Sequence, residues 1–98
     1  MCKEYCVYII YAPSIDSFYI GETVDLSKRL EDHNTGVYNH SFTKRADDWR
    51  LFLKIFCKNK EQALRIEKHI KKMKSRIYLK NLALYPEMIE KLKTKYQK

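Results

Sequence analysis

Five side chains stand out for the chemistry they could do together: Tyr8, Tyr19, Arg29, His33 and Glu67. A guanidinium is permanently charged and holds a phosphate through two parallel hydrogen bonds. A phenol or an imidazole with a suitable neighbour can take a proton from water. Arg29 and His33 are four residues apart, so a helix puts them on one face. Two phenols, a guanidinium and an imidazole in one small unit suit phosphodiester chemistry better than core packing. Glu67 has two readings from position alone. One is an ion pair with Arg29 or a neighbouring lysine; the other is a ligand to a hard cation such as Mg2+.

Two strands and a helix must position the first four. Residues 5–11 are β-branched and aromatic, and a second such run, residues 18–21, resumes after the turn formers Pro13, Ser14, Asp16 and Ser17. This predicts a β-hairpin that sets Tyr8 and Tyr19 beside each other on one face. Cys6, Tyr8 and Ile10 share that face, while Tyr5, Val7, Ile9 and Tyr11 share the other. Both faces carry apolar bulk, which predicts a central strand covered on both sides. Gly21 ends the second run, and Asp25 is a good N-cap for a helix over residues 26–34, with Leu26 and Leu30 on its packing face. Thr23 is read as starting that helix, with a phosphate contact as its other possible role.

The order and spacing of these residues resemble the GIY-YIG nuclease superfamily. The two strand motifs read Cys6-Val7-Tyr8 and Tyr19-Ile20-Gly21, followed by Arg29, then His33, then Glu67 on a later helix. Cysteine stands where the family name has glycine. The resemblance covers residues 5–82 and is closest to the small single-domain subgroup related to the catalytic domain of bacterial excision-repair endonuclease. It implies an α+β fold, a three-stranded antiparallel sheet flanked by helices in the order β-β-α-β-α-α. It also implies a divalent-metal-dependent endonuclease acting on DNA, with Tyr8, Tyr19, Arg29, His33 and Glu67 catalytic and Glu67 holding Mg2+ or Mn2+. Asn81 is a further match, to an asparagine that follows the glutamate helix.

The length of 98 residues allows one domain with a modest core. No apolar run approaches a membrane span, and the N-terminus has no long apolar segment of a secretory signal. Three cysteines argue against a disulfide framework and fit no zinc spacing. A cytoplasmic protein is expected. The charge of +8 is uneven: residues 58–98 hold 13 Lys and Arg against four Glu, a net of +9, and the rest carries −1. A block this basic reads as a phosphate-binding surface or as a solvated helix face. Lys71 and Lys74 belong to it. Lys28, on the first helix, is read as solvated or touching a nucleic-acid strand.

Residues 34–48 show no periodicity and read as a long loop. Its Tyr38, His40, Phe42, Lys44 and Arg45 suit stacking on bases and contacting phosphate, or anchoring of the loop by its aromatics. Residues 49–57 alternate as a third strand, with Trp49, Leu51, Leu53, Ile55 and Cys57 on one face and Arg50, Phe52, Lys54 and Phe56 on the other. Trp49 is read as a core or loop anchor. Asn59 caps a helix with Gln62 at the capping-box position, and Ala63, Ile66, Ile70 and Met73 define its buried stripe. Residues 75–84 read as a short helix. A last helix from Pro86 carries Met88, Ile89, Leu92 and Tyr96 on one side. This extension over residues 85–98 either caps the core or pairs with a partner protein or a second copy. Two other readings stand beside the nuclease: a nucleic-acid-binding module without catalysis, and a subunit of a larger repair complex.

Overall fold

The computed structural model describes residues 5–35 and 42–97. A hairpin of β1 (Tyr5–Ala12) and β2 (Ser17–Thr23) leads into α1 (Leu26–Thr35), then a 3₁₀ turn at Phe42–Arg45 and β3 (Arg50–Cys57). Three helices complete the chain: α2 (Lys60–Met73), α3 (Arg76–Leu84) and α4 (Pro86–Lys95). The sheet is antiparallel throughout, in the order β2-β1-β3. This is the expected α+β architecture. The segment read as a long loop contains the 3₁₀ turn, which is too short to give a periodic sequence signal.

β1 is central because both of its faces can be buried. Val7 and Ile9 join Ile55, Ala63, Ile66, Ile70, Leu79, Leu82 and Leu92 on the side covered by α2, α3 and α4. Tyr8, Ile10 and Ala12 join Trp49 on the other side, against Tyr19, Leu26 and Leu30. Burying an aliphatic side chain of this size contributes about 1.5–3 kcal/mol. The helical side of the sheet therefore supplies most of the stability, and the smaller cluster on the other side holds the two tyrosines.

β3 departs from simple alternation. Ile9 pairs with Leu53 and Ile10 with Leu51, so Phe52 is an extra residue opposite one step of β1. A bulge of this kind turns two successive side chains to one face. Phe52 and Leu53 both pack on the helical core, Phe52 with its ring edge-on to Phe18 at 5.1 Å, whereas Leu51 is exposed. The expected placement of Phe52 with Arg50, Lys54 and Phe56 is thus corrected. Met73 is corrected as well: it ends α2 and is exposed, while Ala63, Ile66 and Ile70 are buried as expected.

Asn59 caps α2, accepting from the Gln62 N–H at 2.8 Å. Gln62 does not close the reciprocal box; its Oε1 accepts from Lys58 N–H and its Nε2 donates to the Lys93 carbonyl of α4. The apolar side of α4 packs on the core through Met88, Ile89, Leu92 and Tyr96, the capping role of the two foreseen for it. Ile77, Leu84 and Tyr85 are the exposed apolar groups of this region.

The hairpin turn is tied to α3. Asp16 has φ of 48°, accepts from the Tyr11 hydroxyl at 2.6 Å, and meets the Arg76 guanidinium through its carboxylate and its carbonyl. These two hydrogen bonds, the Tyr11 one first, hold the Asp16 carboxyl below its usual range.

Candidate active site

Tyr8 and Tyr19 share a face but are not directly opposed. Tyr8 pairs with Gly21 and Tyr19 with Ile10, so the two phenols are diagonal neighbours with ring centroids 6.4 Å apart. The register places the Tyr8 ring over Gly21: a Cβ there would lie 2.5 Å from the Tyr8 hydroxyl oxygen. Glycine is needed at this position because a phenol occupies the space, not because the backbone bends.

α1 brings the imidazole to both phenols. It begins with Thr23 and Asp25: Thr23 Oγ1 accepts from the Asp25 N–H, and Asp25 Oδ1 accepts from the Lys28 N–H. Thr23 is buried in this turn, the structural role expected of it. Two turns on, His33 is only 3% exposed, with its ring centroid 5.8 Å from that of Tyr8 and 5.1 Å from that of Tyr19. Its Nε2 lies 2.8 Å from the Tyr8 oxygen and its Nδ1 2.7 Å from Thr43 Oγ1. Burial, then the nearby charge of Arg29, pushes the His33 pKa down to about 4. The imidazole is therefore neutral at physiological pH, and a neutral ring with its proton on Nδ1 has Nε2 available to accept from Tyr8.

This burial has a consequence for stability. An unfolded histidine titrates near 6.5, so between pH 6.5 and about 4 the unfolded chain binds a proton that folded His33 does not. Stability from this group is complete above about pH 6.5 and falls by up to about 1.4 kcal/mol per pH unit through that window. Urea unfolding at a series of pH values should show the slope, and His33→Gln should flatten it.

Thr43 and Trp49 form the back wall. Thr43 is buried, and its carbonyl accepts from the Trp49 indole N–H at 2.8 Å. Asn34 clamps the start of β3: its Nδ2 donates to the Trp49 carbonyl at 2.9 Å and its Oδ1 accepts from the Trp49 N–H at 2.7 Å. The end of α1 is thereby fixed against β3 beside His33. Asn34→Ala removes both of these hydrogen bonds and should cost about 1–3 kcal/mol in denaturant unfolding.

Arg29 is half-buried one turn before His33, close enough for its charge to oppose His33 protonation. Glu67 comes from α2. It borders the buried face, with its side chain 17% exposed, and its Oε2 is 2.6 Å from Lys71 Nζ. Lys71 Nζ in turn stands 5.8 Å from the centre of the Tyr19 ring. The neighbouring-lysine ion pair is thus formed, and it lies at the Tyr19 edge of the sheet.

The other expected contacts are spread around this cluster. Lys28 is exposed and pairs with Asp32 at 3.6 Å. Lys44 and Arg45, on the 3₁₀ turn, are exposed beside Asn34 and Thr35 in an open depression. Lys74 ends α2 with φ of 48° and shares a cleft of about 240 Å³ with Lys71, Arg76 and Phe18. Asn81 lies on α3, where its carbonyl accepts from Tyr85 N–H. Tyr38 and His40 fall outside the described residues.

Thr43, Asn34 and Trp49 serve the site in ways the sequence did not signal. Trp49 alone was marked, as a structural anchor. A threonine in an aperiodic stretch carries no sign of its partner ten residues away.

Comparison with known proteins decides the family: the GIY-YIG catalytic domain matches residues 4–81. The chain belongs to the GIY-YIG family. It is also 34% identical over 87 residues to a UPF0213 protein of Syntrophus aciditrophicus (strain SB), an alignment spanning 89% of this chain and 98% of that protein. No solved structure matches the chain. In this GIY-YIG domain Cys6 replaces the first glycine of the motif and is buried in β1, opposite Thr23. α4 lies beyond the matched residues.

Proposed function

We propose that the protein is a divalent-metal-dependent endonuclease that hydrolyses phosphodiester bonds in DNA, selecting structure over sequence, in repair or recombination. The observation that carries this reading is the buried chain Tyr8–His33–Thr43, with bonds of 2.8 and 2.7 Å, beside Tyr19 and Arg29. Any buried phenol needs a partner for its hydroxyl; what supports the reading is that this partner is an imidazole held neutral, and so able to take the phenol's proton.

The Tyr8 oxygen takes the proton of the attacking water while its own proton passes to His33 Nε2. The Nδ1–H of His33 donates to Thr43 Oγ1 and fixes the tautomer. A phosphate held in front of the ring favours the protonated imidazole, offsetting the depression caused by burial and by Arg29. Arg29 and the Tyr19 hydroxyl hold non-bridging oxygens of the scissile phosphate and stabilise the charge that builds up there. Water oxygen bonds to phosphorus, the bond to the leaving oxygen breaks, and that oxygen is protonated by solvent.

Glu67 suits a metal that keeps most of its shell as water and substrate oxygen. It is a hard, half-buried carboxylate, and no group of three His, Cys, Asp or Glu gathers among the described residues. Glu67 would hold Mg2+ or Mn2+, which when bound supplies positive charge at the leaving oxygen. Lys71 would then release Glu67 and pair with phosphate instead. Lys28, Lys44, Arg45 and Lys74 would add backbone contacts, with Asn81 more distant in role. The cations named here all suit phosphate, which carries no sequence information, and this supports low sequence selectivity.

The Glu67–Lys71 ion pair favours one alternative, a module that binds nucleic acid without cutting it. Glu67→Gln decides between them. Metal-activated cleavage should fall about 10²-fold or more while DNA affinity stays within a few-fold. Cleavage by the variant at the wild-type rate would remove Glu67 from the reaction.

A further inference from the structure

A second basic feature lies away from the tyrosines. The groove between α2 and α4, about 540 Å³, is lined by Arg65, Lys68, His69, Lys72, Lys95 and Tyr96, together with Met73. Its base is built: His69 Nδ1 is 3.0 Å from the Tyr96 hydroxyl, and the His69 ring also meets Tyr78 of α3. Arg65 pairs with Glu61 at 2.5 Å. Lys68, Lys72 and Lys95 have no carboxylate within ion-pair distance among the described residues, and Lys95 instead stands over the Tyr96 ring. Like charges lining one groove repel, and a polyanion relieves the repulsion.

The periodicity of α2 connects this groove to the candidate active site. Ile66 and Ile70 face the core. Glu67 and Lys71 lie on the flank toward β2, where Lys71 reaches Tyr19. Arg65, His69 and Lys72 lie on the opposite flank, toward α4, and Lys68 is on the exposed crest between. α2 therefore forms a cationic ridge with the candidate site on one side and the groove on the other.

We infer that the α2–α4 groove binds the phosphate backbone of a DNA duplex whose other end lies in the active site. Resting on the nuclease reading, this makes the preferred substrate a duplex long enough to cross α2, in place of a short end or a dinucleotide. The molecule is 34 Å across its longer axes, about ten base pairs of duplex at 3.4 Å each. α4 then has a function beyond closing the core: it supplies Lys95 and Tyr96 to one wall.

The test replaces Lys68, Lys72 and Lys95 with glutamine and follows binding of labelled duplexes of about 6 and 20 base pairs by anisotropy, without divalent metal, over a range of salt. Affinity for the long duplex should fall about tenfold or more, and the slope of log affinity against log salt should become shallower by about 2 to 3. The short duplex should bind nearly as before. A control that removes equal charge elsewhere, Lys58→Gln, Lys80→Gln and Lys91→Gln, should leave the slope within about 1 of wild type. Unchanged long-duplex binding by the groove variant, or equal loss in the control, overturns the assignment. If the wild type binds duplex RNA and not DNA, the assignment to DNA is overturned. Wild type that binds no nucleic acid would overturn the nuclease reading itself; wild type that cuts DNA while the groove variant keeps its affinity overturns the groove alone.

Discussion

Removing one oxygen atom, in Tyr8→Phe, should lower phosphodiester cleavage about 10²- to 10⁴-fold, the range of a positioned general base. The ring is buried at 1% exposure and Phe keeps its volume, so the DNA affinity proposed for the surface cations should change little. The substitution leaves His33 Nε2 without the partner now 2.8 Å away, which costs about 1–3 kcal/mol of stability. The assay is single-turnover cleavage with anisotropy on the same DNA, after circular dichroism has shown the variant folded. Cleavage within threefold of wild type would mean that Tyr8 is a core aromatic with its hydroxyl merely satisfied.

Adding one carbon atom, in Gly21→Ala, should be nearly as damaging to activity. The new methyl would stand 2.5 Å from the Tyr8 oxygen and 2.6 Å from the ring carbon that bears it. The contact is with a ring held from behind by His33, so the phenol must tilt or β2 must lift. Overpacking of this kind costs about 1–3 kcal/mol. Displacing a reacting group by about 1 Å costs on the order of 10²-fold in rate. Because the phenol moves off His33 Nε2, the variant should also change the imidazole chemical shifts of His33 in NMR while the rest of the spectrum stays folded, a local change that simple destabilisation would not produce. Thermal unfolding and cleavage on one preparation separate the two effects. Wild-type cleavage in Gly21→Ala would show that the Tyr8–His33 alignment has no part in the reaction.

The sequence carried the hairpin, the first helix and the third strand because each has a strong local signature. Residues 5–11 are apolar on both faces, Asp25 caps, and residues 49–57 alternate. Their arrangement came from the resemblance as much as from the pattern. The bulge at Phe52 is invisible locally, since an extra residue matters only relative to the partner strand. Met73 continued the periodicity of α2 but fell at its end, where the neighbouring α4 leaves a groove. At the site, the helical spacing of Arg29 and His33 was legible, and so was a shared face for the two tyrosines. The back of the site was not. Thr43 and Asn34 act through contacts that depend on how α1 meets the 3₁₀ turn and β3, and no short-range pattern encodes that meeting. Gly21 was read as the end of a strand, whereas its role depends on the phenol across the ladder.

The most direct measurement is cleavage of labelled branched, single-stranded and duplex DNA by the full chain, with Mg2+, with Mn2+ and with chelator. The structure, read as a nuclease, predicts metal-dependent scission of at least one of these and none in chelator. DNA that is bound but intact under every condition would contradict it and leave the protein a binding module.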